Sequence, residues 1–291
     1  MDSVLAQVIL PMVLAVIMFG MGLSLTRDDF VRLLHYPKVV ALGLLGQIIL
    51  LPMMAFAIAT LFELPPAMAI GLMIISVCPS GTTSNMFTHA ARANVALSVS
   101  LTAFSTIICI FTTPLIIKLS ITHFEGAAPA SFSILSTTLG LIFITLLPVS
   151  LGIAVRSKWH SFAERAEPIF RRVSIGFLVL MISAIVIKDR ENLGAALGQV
   201  ITALLTLNLL SVAMGLVLGK LGRCRFDDML TLGFEVGIQN GSVAILIAVT
   251  FLGKTEYATS AGIYGVAMYV GAFLLTGWAI YYRKTALSAQ A

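Results

Sequence analysis

Apolar residues run through this chain in stretches of about 20, the length an α-helix needs to cross a bilayer, with short polar or basic stretches between them. Nine such runs are read, at approximately 4–25, 38–62, 66–92, 94–118, 132–155, 169–187, 193–219, 227–252 and 257–282. Pro37, Pro65, Pro66, Pro129 and Pro168 are expected at segment starts or in loops. Two runs are interrupted. The third contains Cys78-Pro79-Ser80-Gly81-Thr82-Thr83-Ser84-Asn85, and the eighth contains Glu235-Val236-Gly237-Ile238-Gln239-Asn240-Gly241. In hydrocarbon every backbone amide needs a partner, so non-helical backbone at that depth persists only where it lines a cavity within protein. A pair of such breaks at corresponding places in two halves of a chain points to a transporter's central site. The expected fold is an all-α integral membrane protein of nine transmembrane helices.

Composition fits a membrane setting. The 291 residues are 59% hydrophobic and 11% charged, against about 25% charged in soluble domains, and mean hydropathy is +1.03. The pI of 9.3 does not point to nucleic acid, because the cations form no run. They set topology instead. With the N-terminus outside, Arg27, Arg32, Lys38, Arg92, Arg156, Lys158, Arg165, Arg171, Arg172, Lys220, Arg223, Arg225, Arg283 and Lys284 are cytoplasmic. Of the 18 lysines and arginines only Lys118, Lys188, Arg190 and Lys254 fall outside. This asymmetry predicts a multi-pass protein of the cell inner (plasma) membrane, N-terminus outside and C-terminus cytoplasmic. The third segment then runs inward and the eighth outward, so the halves read as an inverted repeat. No basic region precedes the first apolar segment, so Met1–Leu25 reads as a retained helix and not a cleaved signal. Cys78, Cys109 and Cys224 are odd in number and lie mostly in apolar runs, so no disulfide framework is expected.

The breaks carry the candidate chemistry. Helices restarting near Thr83 and Gly241 would aim N-terminal ends at the centre, favourable to an anionic group. Ends closing near Val77 and Val236 would offer free carbonyls to a hard cation. Glu235 is the one charged residue inside an apolar segment. A buried, unpaired carboxylate costs several kcal/mol, and no lysine or arginine is read at its depth, so it is expected to be protonated or paired with a metal ion. Ser84, Asn85, Gln239 and Asn240 add neutral oxygens and amides. Ser98 and Thr102 share one face of the fourth segment, and Gln47 is an isolated polar residue in the second. Ser98 and Thr102 taken singly also read as bonding backward to their own helix, and Asn208 and Ser211 as helix-packing glue. Gly81 and Gly241 are expected where two backbones approach closely.

Enzyme readings fare poorly. Ser80-Gly81 is only faintly similar to the nucleophile of an intramembrane serine protease, and His35, His89, His123 and His160 map to loops or segment ends. There is no second acid at membrane depth, no metal-ligand spacing of Cys and His, and no phosphate-cradling glycine motif. What stays open from the residues is a carrier coupled to sodium or to protons, or a passive channel, although nothing resembles a charge ring or a repeated filter.

Ile17-Met18-Phe19-Gly20-Met21-Gly22-Leu23, Cys78-Pro79-Ser80-Gly81-Thr82 with Ser84-Asn85, Asn94-Val95-Ala96-Leu97-Ser98, and Glu235-Val236-Gly237 with Gln239-Asn240 resemble the bile acid:sodium symporter family. The resemblance covers nearly the whole chain. It implies a core domain, approximately 38–118 and 193–282, in which the discontinuous helices 66–92 and 227–252 cross. A panel domain, approximately 4–25 and 132–187, would rock against it in alternating access. Bacterial members of known fold typically have ten helices; here the first would be missing, as in nine-span animal members. The resemblance also implies two Na+ sites. One would use Ser84, Asn85, Ser98, Thr102 and Glu235, the other Gln47, Glu235, Gln239 and the carbonyls of Val236 and Ile238. Thr82 and Asn240 would face the substrate. A Trp-His pair known in some bacterial relatives stands here as Met268-Tyr269, which leaves the substrate open. The implied activity is sodium-coupled symport of an organic anion such as a bile acid, pantoate or a small keto acid, and no cationic clamp for its carboxylate is visible. The expected partners are that anion and the lipid bilayer, with no nucleic acid and no obligate protein partner.

Overall fold

A computed structural model of the chain describes residues 5–26, 29, 31, 36–126, 132–188 and 190–288. Arg27, Arg32, His35 and Pro129 lie outside the described residues, as do the side chains of Lys188 and Arg190. Among the described residues the regular structure is helical, apart from one isolated antiparallel bridge. The helices are α1 (Leu10–Ser24), α2 (Pro37–Leu61), α3 (Pro66–Ser76), α4 (Thr82–Ala90), α5 (Val95–Glu125) and α6 (Ile134–Lys158). They continue as α7 (His160–Lys188), α8 (Arg190–Leu221), α9 (Phe226–Gly237), α10 (Gly241–Phe251) and α11 (Thr255–Ser288).

Among the described residues six stretches are long and apolar enough to cross a membrane: Gln7–Ser24, made by α1 and the π-helical turn before it, and one each in α2, α5, α6, α8 and α11. They correspond to the first, second, fourth, fifth, seventh and ninth predicted segments. The third and eighth segments are the pairs α3/α4 and α9/α10. Their apolar members, Pro66–Ser76 and Gly241–Phe251, rise only about 1.5 Å per residue and fall well short of the ~30 Å hydrocarbon layer. The molecule is a multi-pass α-helical membrane protein.

Local chemistry sets the helix ends. Proline occupies the first turn at Pro37 and Pro66, where a missing N–H costs nothing. Asn94 caps α5 by accepting from the Leu97 amide at 3.1 Å, and Asn240 caps α10 by accepting from Val243 at 3.2 Å. Pro168 departs from expectation: it lies inside α7, because that helix begins at His160. The apolar run starting near residue 169 misses its charged first turns. Those turns are held by a His160–Glu164 contact of 3.1 Å and by Ala163 and Ala166, which bury against Leu23 of α1.

Helix α1 packs along α6 and α7, whereas α8 packs on α9 and α11, and α3 on α11. The α1–α6 crossing is backbone on backbone. A Cβ at Gly22 would stand 2.2 Å from the Val149 carbonyl oxygen, and one at Gly152 would stand 2.4 Å from that of Phe19. Only glycine fits such an approach. Helix α2 carries a π-helical turn at Leu45–Leu50, a widening often found at functional sites; Gln47 sits in it.

Candidate ion and substrate site

The two breaks cross. Ser80 and Gln239 form the antiparallel bridge, and the Asn240 amide donates to the Pro79 carbonyl at 2.9 Å. Helix α3 stops at Ser76 and α4 starts at Thr82; α9 stops at Gly237 and α10 starts at Gly241. Four helix ends therefore surround one point in the protein interior. Gly81 is not the tight contact expected there. A Cβ on it would sit 3.8 Å from Asn240, an ordinary distance, and its φ of −111° suits any residue. The bridge spaces the two extended backbones as paired strands are spaced, which leaves room for a side chain.

The sequence suggested end carbonyls free for a cation; here they are paired. Val77 accepts from the Thr113 hydroxyl at 2.7 Å, and Val236 from the Gln239 side-chain amide at 3.0 Å. Gly237 accepts from both Asn208 and the Tyr264 hydroxyl at 2.9 Å. Neighbouring helices supply these donors because orphan carbonyls in a water-free interior must be paired. Asn208 is packing glue as read, but it glues the break itself: its Oδ1 also accepts from the Gly271 amide at 2.9 Å.

Glu235 lies in the last turn of α9, 1% exposed, with hydroxyls on both oxygens. Oε1 accepts from Ser84 and Ser98, each at 2.5 Å. Oε2 accepts from Ser80 at 2.5 Å and from Thr102 at 3.0 Å. Ser98 also lies 2.7 Å from Asn85 Oδ1, and Ser84 lies 2.8 Å from the Gly81 carbonyl. Each of these serines has one proton and two acceptors within reach. The cluster is thus richer in oxygen lone pairs than in protons, and it has the hard neutral and anionic oxygens that a small monovalent cation prefers.

All five residues expected at the first sodium site converge here. Ser80 joins them and was missed by the sequence reading. Its place beside Glu235 follows from the antiparallel pairing of the two breaks, residue 80 opposite 239, which only the fold supplies. For the second expected site, Gln47 and Gln239 are 1% and 2% exposed, and Gln47 Nε2 and Gln239 Oε1 have no hydrogen-bond partner among the described residues. Which end of an amide carries oxygen is an assignment, so a turned Gln47 would present an oxygen where its nitrogen stands. Unpaired buried amide ends at the foot of the broken helix fit a place for an ion. Val236 packs against Gly46, beside Gln47. Ile238 is buried in the same core.

A cleft opens next to this cluster. Thr82, Gln239, Asn240 and Met268 line one side, and α1 and α7 line the other through Met21, Glu167 and Arg171. The expected substrate-facing pair, Thr82 and Asn240, is therefore together in one cavity. Arg171 in its wall is a cation that the sequence assigned only a topological role. Tyr269, next to Met268, packs its ring on Phe87 of α4, with ring centroids 5.8 Å apart.

The profile of the Sodium Bile acid symporter family matches residues 11–196. The uncharacterized sodium-dependent transporter YocS of Bacillus subtilis (strain 168) is 30% identical over 272 residues, 93% of this chain and 83% of that protein. The probable chloroplastic sodium/metabolite cotransporter BASS2 of rice (Oryza sativa subsp. japonica) is 31% identical over 277 residues, 95% of this chain but 64% of that protein. The human ileal sodium/bile acid cotransporter is 26% identical, with 97% of this chain and 81% of that protein aligned. With more than half of its residues matched by the profile and relatives aligned along nearly its whole length, the chain belongs to the sodium bile acid symporter family.

Proposed function

We propose that this chain is a secondary transporter that carries a small organic anion together with sodium by alternating access. The observation that carries the reading is the buried Glu235 carboxylate ringed by four hydroxyls whose protons are too few for the acceptors around them. A cation entering there takes lone pairs from Ser84, Ser98, Thr102 and Asn85 while the hydroxyl protons stay on Glu235, which offsets the cost of a buried charge. The second ion belongs at Gln47, Gln239, Glu235 and the carbonyls of Val236 and Ile238. For Val236 that requires the Gln239 amide to swing away from it.

Filling these places holds the two breaks in one arrangement, and Thr82 and Asn240 stand on their far side, toward the cleft. Ion binding and anion binding thus act on the same crossing. The core, approximately 38–118 and 193–282, would rock against a panel of 4–25 and 132–187. In the proposed plasma-membrane orientation, the Glu167–Arg171 rim faces the cytoplasm.

Uptake into proteoliposomes tests this. An inward sodium gradient should drive accumulation of the organic anion without ATP. Accumulation driven by a pH gradient in sodium-free buffer would make Glu235 a proton carrier instead. Flux that only equilibrates, whatever the gradient, would indicate a channel.

A further inference from the structure

The cleft wall holds a charge that the ion sites do not use. Arg171, on α7, faces Thr82 and Asn240 across the cavity. Its one ionic partner among the described residues is Glu167, one turn earlier on the same helix, with Nε to Oε1 at 3.9 Å. That distance is too long for a hydrogen bond. A guanidinium carries five N–H donors in a planar fork, and this one is 43% exposed and lines the cleft. Across from it, Asn240 spends its carbonyl oxygen on the Val243 amide and keeps its NH2 to donate. The Thr82 hydroxyl makes no hydrogen bond among the described residues. Met268, Met21 and Ile17 give the remaining wall an apolar surface.

We infer that Arg171 is the cationic contact for the substrate's carboxylate in this cleft. The inference rests on the transport reading and names the chemistry of its cargo. A carboxylate meets the guanidinium fork with two parallel N–H···O bonds, a match that an ammonium cannot reproduce. Thr82 and the Asn240 amide then address an oxygen elsewhere on the molecule, and the methionines cover its carbon skeleton. Glu167 is a positioning residue. It draws the guanidinium along the helix face without closing on it, so the fork stays open to the ligand. Arg172, the adjacent residue, has the same charge at the same membrane level but does not line the cleft. It is the internal control, because a purely topological role would make the two arginines equivalent.

The test measures thermal stability of purified protein in sodium chloride and in choline chloride. The probes are pyruvate, pantoate and cholate, each beside its uncharged primary amide. Carboxylates, and not amides, should stabilise the wild type and Arg172→Gln. In Arg171→Gln the half-saturating carboxylate concentration should rise roughly tenfold to a hundredfold, the loss expected for a hydrogen-bonded ion pair. Arg171→Lys should fall between. Sodium alone should stabilise wild type and Arg171→Gln equally. The proposal is overturned if Arg171→Gln binds as tightly as wild type, if amides bind as well as acids, or if no carboxylate stabilises the wild type. Should Arg171→Gln fail to insert, Arg171→Lys decides, since it keeps the charge and loses only the fork. Absence of sodium stabilisation in every protein would sink the coupling reading while leaving the carboxylate result standing.

Discussion

Replacing Glu235 by glutamine probes the centre of the site with one atom changed. In the wild type, Ser84 and Ser98 donate to one carboxylate oxygen, and Ser80 and Thr102 donate to the other. Glutamine keeps the shape and one acceptor, but its NH2 turns a donor toward two of those hydroxyls, which must rotate to accept. The larger loss is charge. An ion held by the hydroxyl oxygens, roughly 6 Å from the carboxylate charge, gains about 3 kcal/mol at an effective dielectric of about 20. That corresponds to roughly a hundredfold in half-saturating sodium. Sodium titrations of anion uptake into proteoliposomes should show the rightward shift. Without sodium the variant should melt no lower than wild type, because a neutral amide is cheaper to bury than a carboxylate. The two signs together separate loss of the ion's countercharge from loss of the fold. If Glu235→Gln kept wild-type sodium dependence, the carboxylate would not hold an ion and the proposed mechanism would be wrong.

Ser80→Ala should raise half-saturating sodium about tenfold, since it removes one hydrogen bond to a charged group; an unchanged titration would make Ser80 a bystander. Thr102→Ala and Gln239→Ala should each weaken a different sodium site and so fall short of Glu235→Gln; a loss in either one as large as that of Glu235→Gln would contradict the two-site assignment. Gly215→Leu should cost at least ~1–3 kcal/mol and lower the melting temperature, because a Cβ there lies 2.4 Å from the Leu232 carbonyl oxygen. Gly81→Ala should melt within about a degree of wild type, since its Cβ finds ordinary contact at 3.8 Å.

Much of this was legible in the chain because a bilayer imposes strong rules. Apolar runs mark the long helices, and polar interruptions in two of them mark the breaks. The one carboxylate at depth marks the centre. What escaped depends on how helices face one another. Ser80 reaches Glu235 across 155 residues of sequence, and no local pattern encodes that register. Arg171 sits at the edge of an apolar run, where hydropathy reads any cation as a topological marker; its aim toward the cleft is set by α7 packing on α1. Of the carbonyls expected to be free, Val77 is taken by Thr113 and Val236 by Gln239; the neighbouring Gly237 is taken by Asn208 and Tyr264, and Thr113, Asn208 and Tyr264 each read alone as ordinary helix residues. Pro168 was misplaced because the first turns of α7 are charged, and a hydropathy run cannot see a helix that continues beyond the apolar layer.

The bond from the Asn240 amide to the Pro79 carbonyl also sets an order of events during synthesis. At about 5–20 residues per second, the ribosome reaches Asn240 roughly 10–30 s after it has made Pro79. Through that interval the break after α3 faces the translocon or lipid with a carbonyl whose partner does not yet exist, at a depth where unpaired backbone is costly. The Pro79 carbonyl therefore finds its partner only when α9 and α10 arrive beside it. A nascent or truncated first half has Ser84 and Ser98 but no Glu235 to gather them. The ion site is therefore completed only when the second half of the chain is in place.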